Sequence, residues 1–409
     1  MPPQILTPNP TILRSDLGIM REPTRPVERR VDNFSEKFDS TTLFYDALYT
    51  DRPGQVLLLG PPFANLSPLI EGTVVTALPS GARCDFRIRN MDRHSQMWIS
   101  VPRGTARLVL DGGLGSFEIT PAPNLSPLFE GKRVLFTLSK NNHLKWIQDW
   151  ARYNRDIHGA NAVLFYDNQS TDYSAEQVLE ALEAVSGLDQ IRVVSWPFKY
   201  GPLGFGLLDF WDSNFCQYGA LEHARWMYLQ RARSGLNSDI DELVVSSKGQ
   251  SVFEAAERSW SGMVRFHGLW VFGFADRTPH AAPPLPIRHT AFDHYLKPTS
   301  RRRFGIFSAT DVFPTPSGLL NTKWAVVPCK CPKNAQWTVH EIYSWRGMYS
   351  HFSIDRSFLY RHYREVNDNW RPMTEDWQID RVQREKFDPV RFAYDERMVS
   401  NFSRVHWSS

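Results

Sequence analysis

Two acidic groups stand where an α/β protein would hold a ligand. Asp167 closes the apolar run Asn161 to Tyr166. Asp239 and Asp241 lie in Asn237-Ser238-Asp239-Ile240-Asp241-Glu242, at the end of a later element. Side chains alternate with period two in an extended segment, so an Asp-x-Asp pair there presents both carboxylates on one side. Two hard oxygen ligands suit Mg²⁺ or Mn²⁺, which in turn hold phosphates. Asp-x-Asp alone is a weak motif and also describes an exposed acidic turn. Its place after strand–helix–strand units, beside Asp167, favours the functional reading.

The elements that must position these acids are legible from periodicity. Continuous apolar runs predict buried strands at Arg133 to Leu138, Asn161 to Tyr166 and Ile191 to Val194. Between them, Leu144 to Ile157 carries Leu144, Ile147, Trp150 and Ala151 on one helical face. A second helix starts at Ser174, with Gln177 at the capping-box position. Ser213 to Gln230 reads as a long helix. Glu242 to Val245, Met263 to Phe274, Asn321 to Val327 and Thr338 to Tyr343 read as strands, and Phe358 to Val366 as a helix. Strands and helices in alternation imply a largely parallel sheet with helices on both faces. Ligands of such sheets bind at the carboxyl ends of the strands.

The region before this has another texture. Residues 1–52 read as a partly extended arm rich in Pro, Arg and Asp. Residues 53–130 hold short alternating strands such as Asp85-Phe86-Arg87-Ile88-Arg89, punctuated by turns. That pattern predicts a small β-sandwich-like domain. The segment Asn65-Leu66-Ser67-Pro68-Leu69-Ile70-Glu71-Gly72 recurs as Asn124-Leu125-Ser126-Pro127-Leu128-Phe129-Glu130-Gly131, each copy preceding a strand. A single pair reads as a reused connector, the second copy marking a domain boundary. The α/β domain then spans 131–370, and 371–409 is a polar, aromatic tail.

Composition excludes several classes. With 47 Lys+Arg against 44 Asp+Glu, the net charge is +3, too balanced for a protein whose main business is nucleic acid. No apolar run reaches the roughly 18 residues of a spanning helix, which leaves only peripheral membrane contact open. No secretory signal is visible in Met1 to Gly18. Four cysteines in 409 residues make no disulfide scaffold. These features predict a cytoplasmic protein.

One ordered series of motifs resembles a known family. It runs Lys140-Asn141-Asn142, Trp146-Ile147-Gln148-Asp149-Trp150, Tyr166-Asp167-Asn168-Gln169-Ser170-Thr171-Asp172, Gln217-Tyr218-Gly219-Ala220-Leu221-Glu222-His223-Ala224 and Asp239-Ile240-Asp241-Glu242. Val339-His340-Glu341 and Arg361-His362-Tyr363-Arg364 follow. The series resembles GT-A-fold glycosyltransferases, most closely glycosyltransferase family ninety-two and its bacterial relatives, over roughly residues 131 to 370. The resemblance implies a Rossmann-like GT-A domain with a mainly parallel sheet. It implies metal-dependent, inverting transfer of a hexose from a nucleotide sugar, a UDP-sugar, to a glycan or glycolipid acceptor in surface polysaccharide assembly.

The resemblance also implies roles. Asp167 binds the base or ribose, with Asn168 and Ser170 shaping its loop. Asn142 stands where the family commonly carries an acid. Asp239 and Asp241 hold Mn²⁺ or Mg²⁺ and the sugar nucleotide, His340 completes the metal shell, and His362 and Arg364 reach the diphosphate. An inverting transferase needs a base to deprotonate the acceptor hydroxyl; Asp276, Asp311 and Glu341 are the candidates. Regular alternation over Thr338 to Ile342 puts His340 and Glu341 on opposite faces. Trp196, Trp211 and Trp270 are available to stack a sugar. Two other classes stay open: a non-catalytic carbohydrate-binding protein with the same fold, and a metal-dependent phosphohydrolase.

Overall fold

The structure, a computed structural model, describes residues 4–202, 212–274, 286–298, 318–343, 353–366 and 386–408. The chain divides into two compact units. One comprises Met1–Leu6, Phe129–Val194 and Ala232–Ser409; the other comprises Thr7–Leu128 and Ser195–Arg231.

The first unit is built on a mixed sheet. Its eleven described strands are β1 (Ile5–Leu6), β2 (Arg133–Ser139), β3 (Ala162–Asp167), β4 (Gln190–Ser195), β5 (Ser234–Asn237), β6 (Glu242–Ser246), β7 (Met263–Phe272), β8 (His294–Leu296), β9 (Leu320–Val326), β10 (Phe358–Tyr363) and β11 (Phe392–Tyr394). Their order is β1-β4-β3-β2-β5-β9-β7-β8-β11, with β10 pairing both β7 and β6. Pairing is parallel where β1 meets β4, where β2 meets β3 and β5, and where β7 meets β10. It is antiparallel along β5–β9–β7–β8–β11 and between β6 and β10.

Local chemistry explains these elements. Ala-Val-Leu-Phe-Tyr-Asp of β3 is buried at every position, as a strand covered on both faces must be. The helix Leu144–Tyr153 crosses from β2 to β3 and buries Ile147, Trp150 and Ala151; it runs on through a π-turn at Asn154–His158 that Gly159 ends at φ 76°. The helix Ala175–Glu183 starts with a capping box, in which Ser174 accepts from the Gln177 amide and Gln177 reaches back to the Ser174 amide. Such helical crossovers are what parallel neighbours require.

Two expected elements differ. Phe358–Tyr363 is a strand, not a helix, because it pairs with β6 on one side and β7 on the other. The strand expected over Thr338 to Tyr343 is a tight hairpin: Gln336–Trp337 pairs with Ile342–Tyr343, and the Thr338 amide donates to the Glu341 carbonyl at 3.0 Å.

The second unit carries two four-stranded antiparallel sheets. One orders Asp46–Tyr49, Gln55–Gly60, His94–Ser100 and Phe86–Met91; the other orders Gly115–Ile119, Arg107–Gly112, Val74–Leu78 and Ala82–Cys84. Leu58 and Met97 of one sheet and Val75 and Leu108 of the other share a single buried cluster. The unit begins at Thr7 and takes in the helix Phe215–His223. Asp46–Tyr49 pairs with Gln55–Gly60, so the boundary drawn at residue 52 runs through a hairpin. Both copies of the recurring connector form a short helical turn, at Ser67–Glu71 and at Ser126–Phe129, before the next strand.

Candidate functional site

In the first unit β3 and β4 lie to one side of β2 and β5 to the other. The chain's direction of travel across the sheet therefore reverses between β2 and β5, and the crevice at such a switch point is where open α/β sheets bind ligands. Two polar clusters sit at that carboxyl edge.

The first closes β2 and β3, whose last residues Ser139 and Asp167 are paired in register. Asp167 is buried. Its Oδ1 accepts from the Ser170 hydroxyl at 2.5 Å and its Oδ2 from the Ser170 amide at 3.3 Å. Burial raises the Asp167 carboxyl above its ordinary range, against the pull of those two bonds. The Asn168 amide donates to the Ser139 carbonyl at 2.8 Å. Asn142 donates through Nδ2 to the Ser139 hydroxyl at 2.8 Å, while its buried Oδ1 has no hydrogen-bond partner among the described residues. A buried acceptor left open is costly, and a ligand donor would satisfy it.

The second cluster gathers around the loop after β5. Asp239 to Glu242 is a turn: the Glu242 amide donates to the Asp239 carbonyl at 3.0 Å, and Glu242 Oε2 accepts from the Asp239 amide at 3.1 Å. The extended Asp-x-Asp geometry expected from alternation therefore does not form, and the two carboxylates meet different partners. Asp239 Oδ2 accepts from Lys323 Nζ at 2.6 Å, and the same ammonium lies 3.0 Å from Glu242 Oε2. Asp241 Oδ2 lies 3.2 Å from His362 Nε2. The loop's backbone is held too. The Ile240 carbonyl accepts from His289 Nε2 at 2.9 Å, and the Asp241 carbonyl accepts from the Tyr363 amide at 2.9 Å.

Strand register assembles the rest. His362 is opposite Glu242 on β6 and opposite Trp270 on β7. Its ring lies 4.4 Å from that of half-buried Trp270, and its Nδ1 is 3.7 Å from Glu242 Oε1. Two residues earlier on the same strand, the Tyr360 ring occupies the space a side chain at Gly268 would need.

The charges are mutually tuned. Burial alone would lower the His362 imidazole, but Asp241, Glu242 and Asp239 outweigh it and raise it. Burial would raise Asp241; the charge and hydrogen bond of His362, with Lys323, hold it low instead. Glu242 is pushed up to about 7 by burial, helped by Asp239 and Asp241 and opposed by Lys323. Lys323 is raised, because Asp239 and Glu242 more than offset its desolvation.

The remaining expected residues fall as follows. His340 lies in the hairpin turn, so alternation does not govern its direction. Its Nδ1 faces the Thr322 carbonyl at 3.2 Å, and its own carbonyl accepts from the Thr322 hydroxyl at 2.5 Å. Desolvation and then the Lys323 charge push its imidazole down to about 4, but the residue is exposed, and water there weakens the desolvation. Glu341 Oε2 lies 3.4 Å from buried Arg265 Nη2. The Arg364 guanidinium lies 5.1 Å over the Phe272 ring. Asp276, Asp311 and Trp211 lie outside the described residues, and Trp196 is buried in the core of the second unit.

A divalent cation needs several hard donors on one point. Among the described residues no three His, Cys, Asp or Glu side chains converge to hold a metal ion. Asp239 gives Oδ2 to Lys323 and Asp241 gives Oδ2 to His362, side chains of this chain that stand where a cation would; His340 is held only through Nδ1. As arranged, the donor set does not fit the metal that the sequence resemblance implies.

Sequence reasoning missed Lys323 and left Glu242 without a role. The signal for Lys323 was a lone charge inside Thr322-Lys323-Trp324-Ala325-Val326-Val327, an otherwise buried run. The four cysteines are all free. No helix among the described residues is long and apolar enough to cross a membrane.

No family model matches this chain, and no curated protein does. Among solved structures, the chain is similar to an active-site mutant of LgtC, a glycosyltransferase. That likeness covers 64% of this chain and 87% of the other, at 12% identity and a TM-score of 0.26. At that score it carries no argument about function.

Proposed function

We propose that the first unit is a glycosyltransferase that moves a hexose from a nucleotide sugar, a UDP-sugar, to a glycan or glycolipid acceptor with inversion, in surface polysaccharide assembly. The observation that carries this reading is the pairing of two different polar clusters on one carboxyl edge. Asp167 and Asn142 offer buried acceptors suited to the N–H and O–H groups of a base and ribose. The imidazolium of His362, set between Asp241 and Trp270, offers a cation for a diphosphate and a ring beside it for a sugar face. The motif series from Lys140 to Arg364 supports the same reading.

Transfer develops negative charge on the departing diphosphate, and preorganised donors at that point lower the barrier. In this reading the His362 ring meets that charge electrostatically, since Nε2 faces Asp241 and Nδ1 faces Glu242. Asp241 orients its ring by accepting from Nε2 and favours its protonated form. Trp270 shields one side of the imidazole from water. Glu341 is held at Arg265, which makes it less available as a base; Asp276 and Asp311 stay candidates from the sequence.

The test is a thermal-shift screen of UDP, GDP, CMP and ADP sugars against the full chain. A ligand that binds only the native state stabilises it by mass action, by about 2.7 kcal/mol at a hundred times its dissociation constant, and so raises the melting temperature. Stabilisation by UDP-sugars supports the proposal. A flat response to every nucleotide sugar would sink it.

A further inference from the structure

We infer that the acidic loop takes a nucleoside diphosphate without a divalent cation, because the chain's own Lys323 and His362 already meet the carboxylates that would bind the metal. This rests on the proposed function for the identity of the ligand, but its central claim concerns the loop itself.

Asp239 is bridged by Lys323 Nζ at 2.6 Å, and Asp241 is met by His362 Nε2 at 3.2 Å. Glu242 touches both cations, at 3.0 Å and 3.7 Å. Each of the three carboxylates therefore already meets a basic side chain of this chain.

A metal would have to displace Lys323. That side chain is 2% exposed, and its only acceptors among the described residues are the two carboxylates. Losing them would strand a buried ammonium, a state that proteins avoid. The lysine is also covalently part of the site, so it competes without the entropic cost of capturing a free ion.

The two side chains have different parts. Lys323, 2% exposed, meets the loop from its buried side. The His362 side chain is 25% exposed, so it is the one a diphosphate can reach. Its neighbour Trp270 lies on the same strand-paired row.

The experiment uses the full chain and two independent readouts. Mn²⁺ binding is followed by electron paramagnetic resonance with no nucleotide present. The expected result is no site tighter than about 1 mM, and at least a tenfold gain in Mn²⁺ affinity, about 1.4 kcal/mol, in a folded Lys323→Ala variant. A tight wild-type Mn²⁺ site that Asp241→Asn abolishes would overturn the inference. So would a folded Lys323→Ala chain with no gain.

UDP binding is then measured by calorimetry in EDTA and in Mn²⁺. The inference expects affinities within about threefold of each other, and a loss of more than about tenfold in EDTA overturns it. If UDP and GDP bind in neither buffer, the proposed function fails, while the Mn²⁺ titration still decides the loop's chemistry.

Discussion

Gly268→Ala is the perturbation that most directly questions how the second cluster is spaced. A Cβ at this position would stand 2.2 Å from Tyr360 Cζ, 2.4 Å from Cε2 and 2.6 Å from Cε1. Ordinary contact begins at 3.4 Å, so ring and strand must part by 3.4 − 2.2 = 1.2 Å. Tyr360 is buried, and its hydroxyl donates to the Asn321 carbonyl at 2.8 Å. Moving the ring 1.2 Å away from Gly268 lengthens that bond by up to 1.2 Å, to at most 2.8 + 1.2 = 4.0 Å, which would take it past the limit of a hydrogen bond.

Overpacking a core in this way costs about 1–3 kcal/mol. Breaking the buried bond adds about 1–3 kcal/mol. The expected destabilisation is therefore about 2–6 kcal/mol. Because Tyr360 and His362 share β10, the same displacement should loosen the Glu242–His362–Trp270 row and weaken nucleotide binding. Calorimetric unfolding of wild type, Gly268→Ala, Tyr360→Ala and the double variant gives the coupling. Tyr360→Ala already empties the space, so adding Ala at position 268 should cost little more, and the coupling should exceed about 2 kcal/mol. A Gly268→Ala chain within about 0.5 kcal/mol of wild type, or strictly additive variants, would refute the reasoning.

Three further outcomes are expected. Glu242 keeps a proton in the folded chain up to about pH 7, while the unfolded carboxyl gives it up near 4.5. Stability should therefore fall as pH rises through that window and level off above it, by at most about 3 kcal/mol. Glu242→Gln should flatten this slope in urea titrations at pH 5 and 7.5; an unchanged slope would show that another group sets it. Asp167→Ala should weaken UDP binding by about 1.5–3 kcal/mol with little effect on turnover at saturation, and unchanged affinity by calorimetry would make Asp167 purely structural. His289→Leu deletes the donor to the Ile240 carbonyl and should cost about 1–3 kcal/mol, with weaker donor binding because the acidic turn loses its anchor. Wild-type melting temperature and affinity in that variant would count against this support of the loop.

What the sequence determined is the part of the molecule where local pattern and burial coincide. The runs Arg133 to Leu138 and Asn161 to Tyr166 are apolar throughout, because both faces of those strands are covered, and they appear as β2 and β3. Ser174 and Gln177 announce a helix start through bonds that span three residues, and the capping box is there. Asp167, at the end of β3, was legible for the same reason.

Tertiary structure alone decided the rest. Phe358-Leu359-Tyr360-Arg361-His362-Tyr363 has no strong local preference, and its strand state comes from partners at Glu242–Ser246 and Gly268–Val271, distant in sequence. Asp239 and Asp241 read as an extended pair, but Glu242 closes them into a turn. Their electrostatic partners come from β9 and β10, elements with no sequence proximity to the loop. Whether an acidic pair takes a metal or a lysine depends on which cation the fold delivers to within 3 Å. That is a property of non-local strand pairing, which no window along the chain contains.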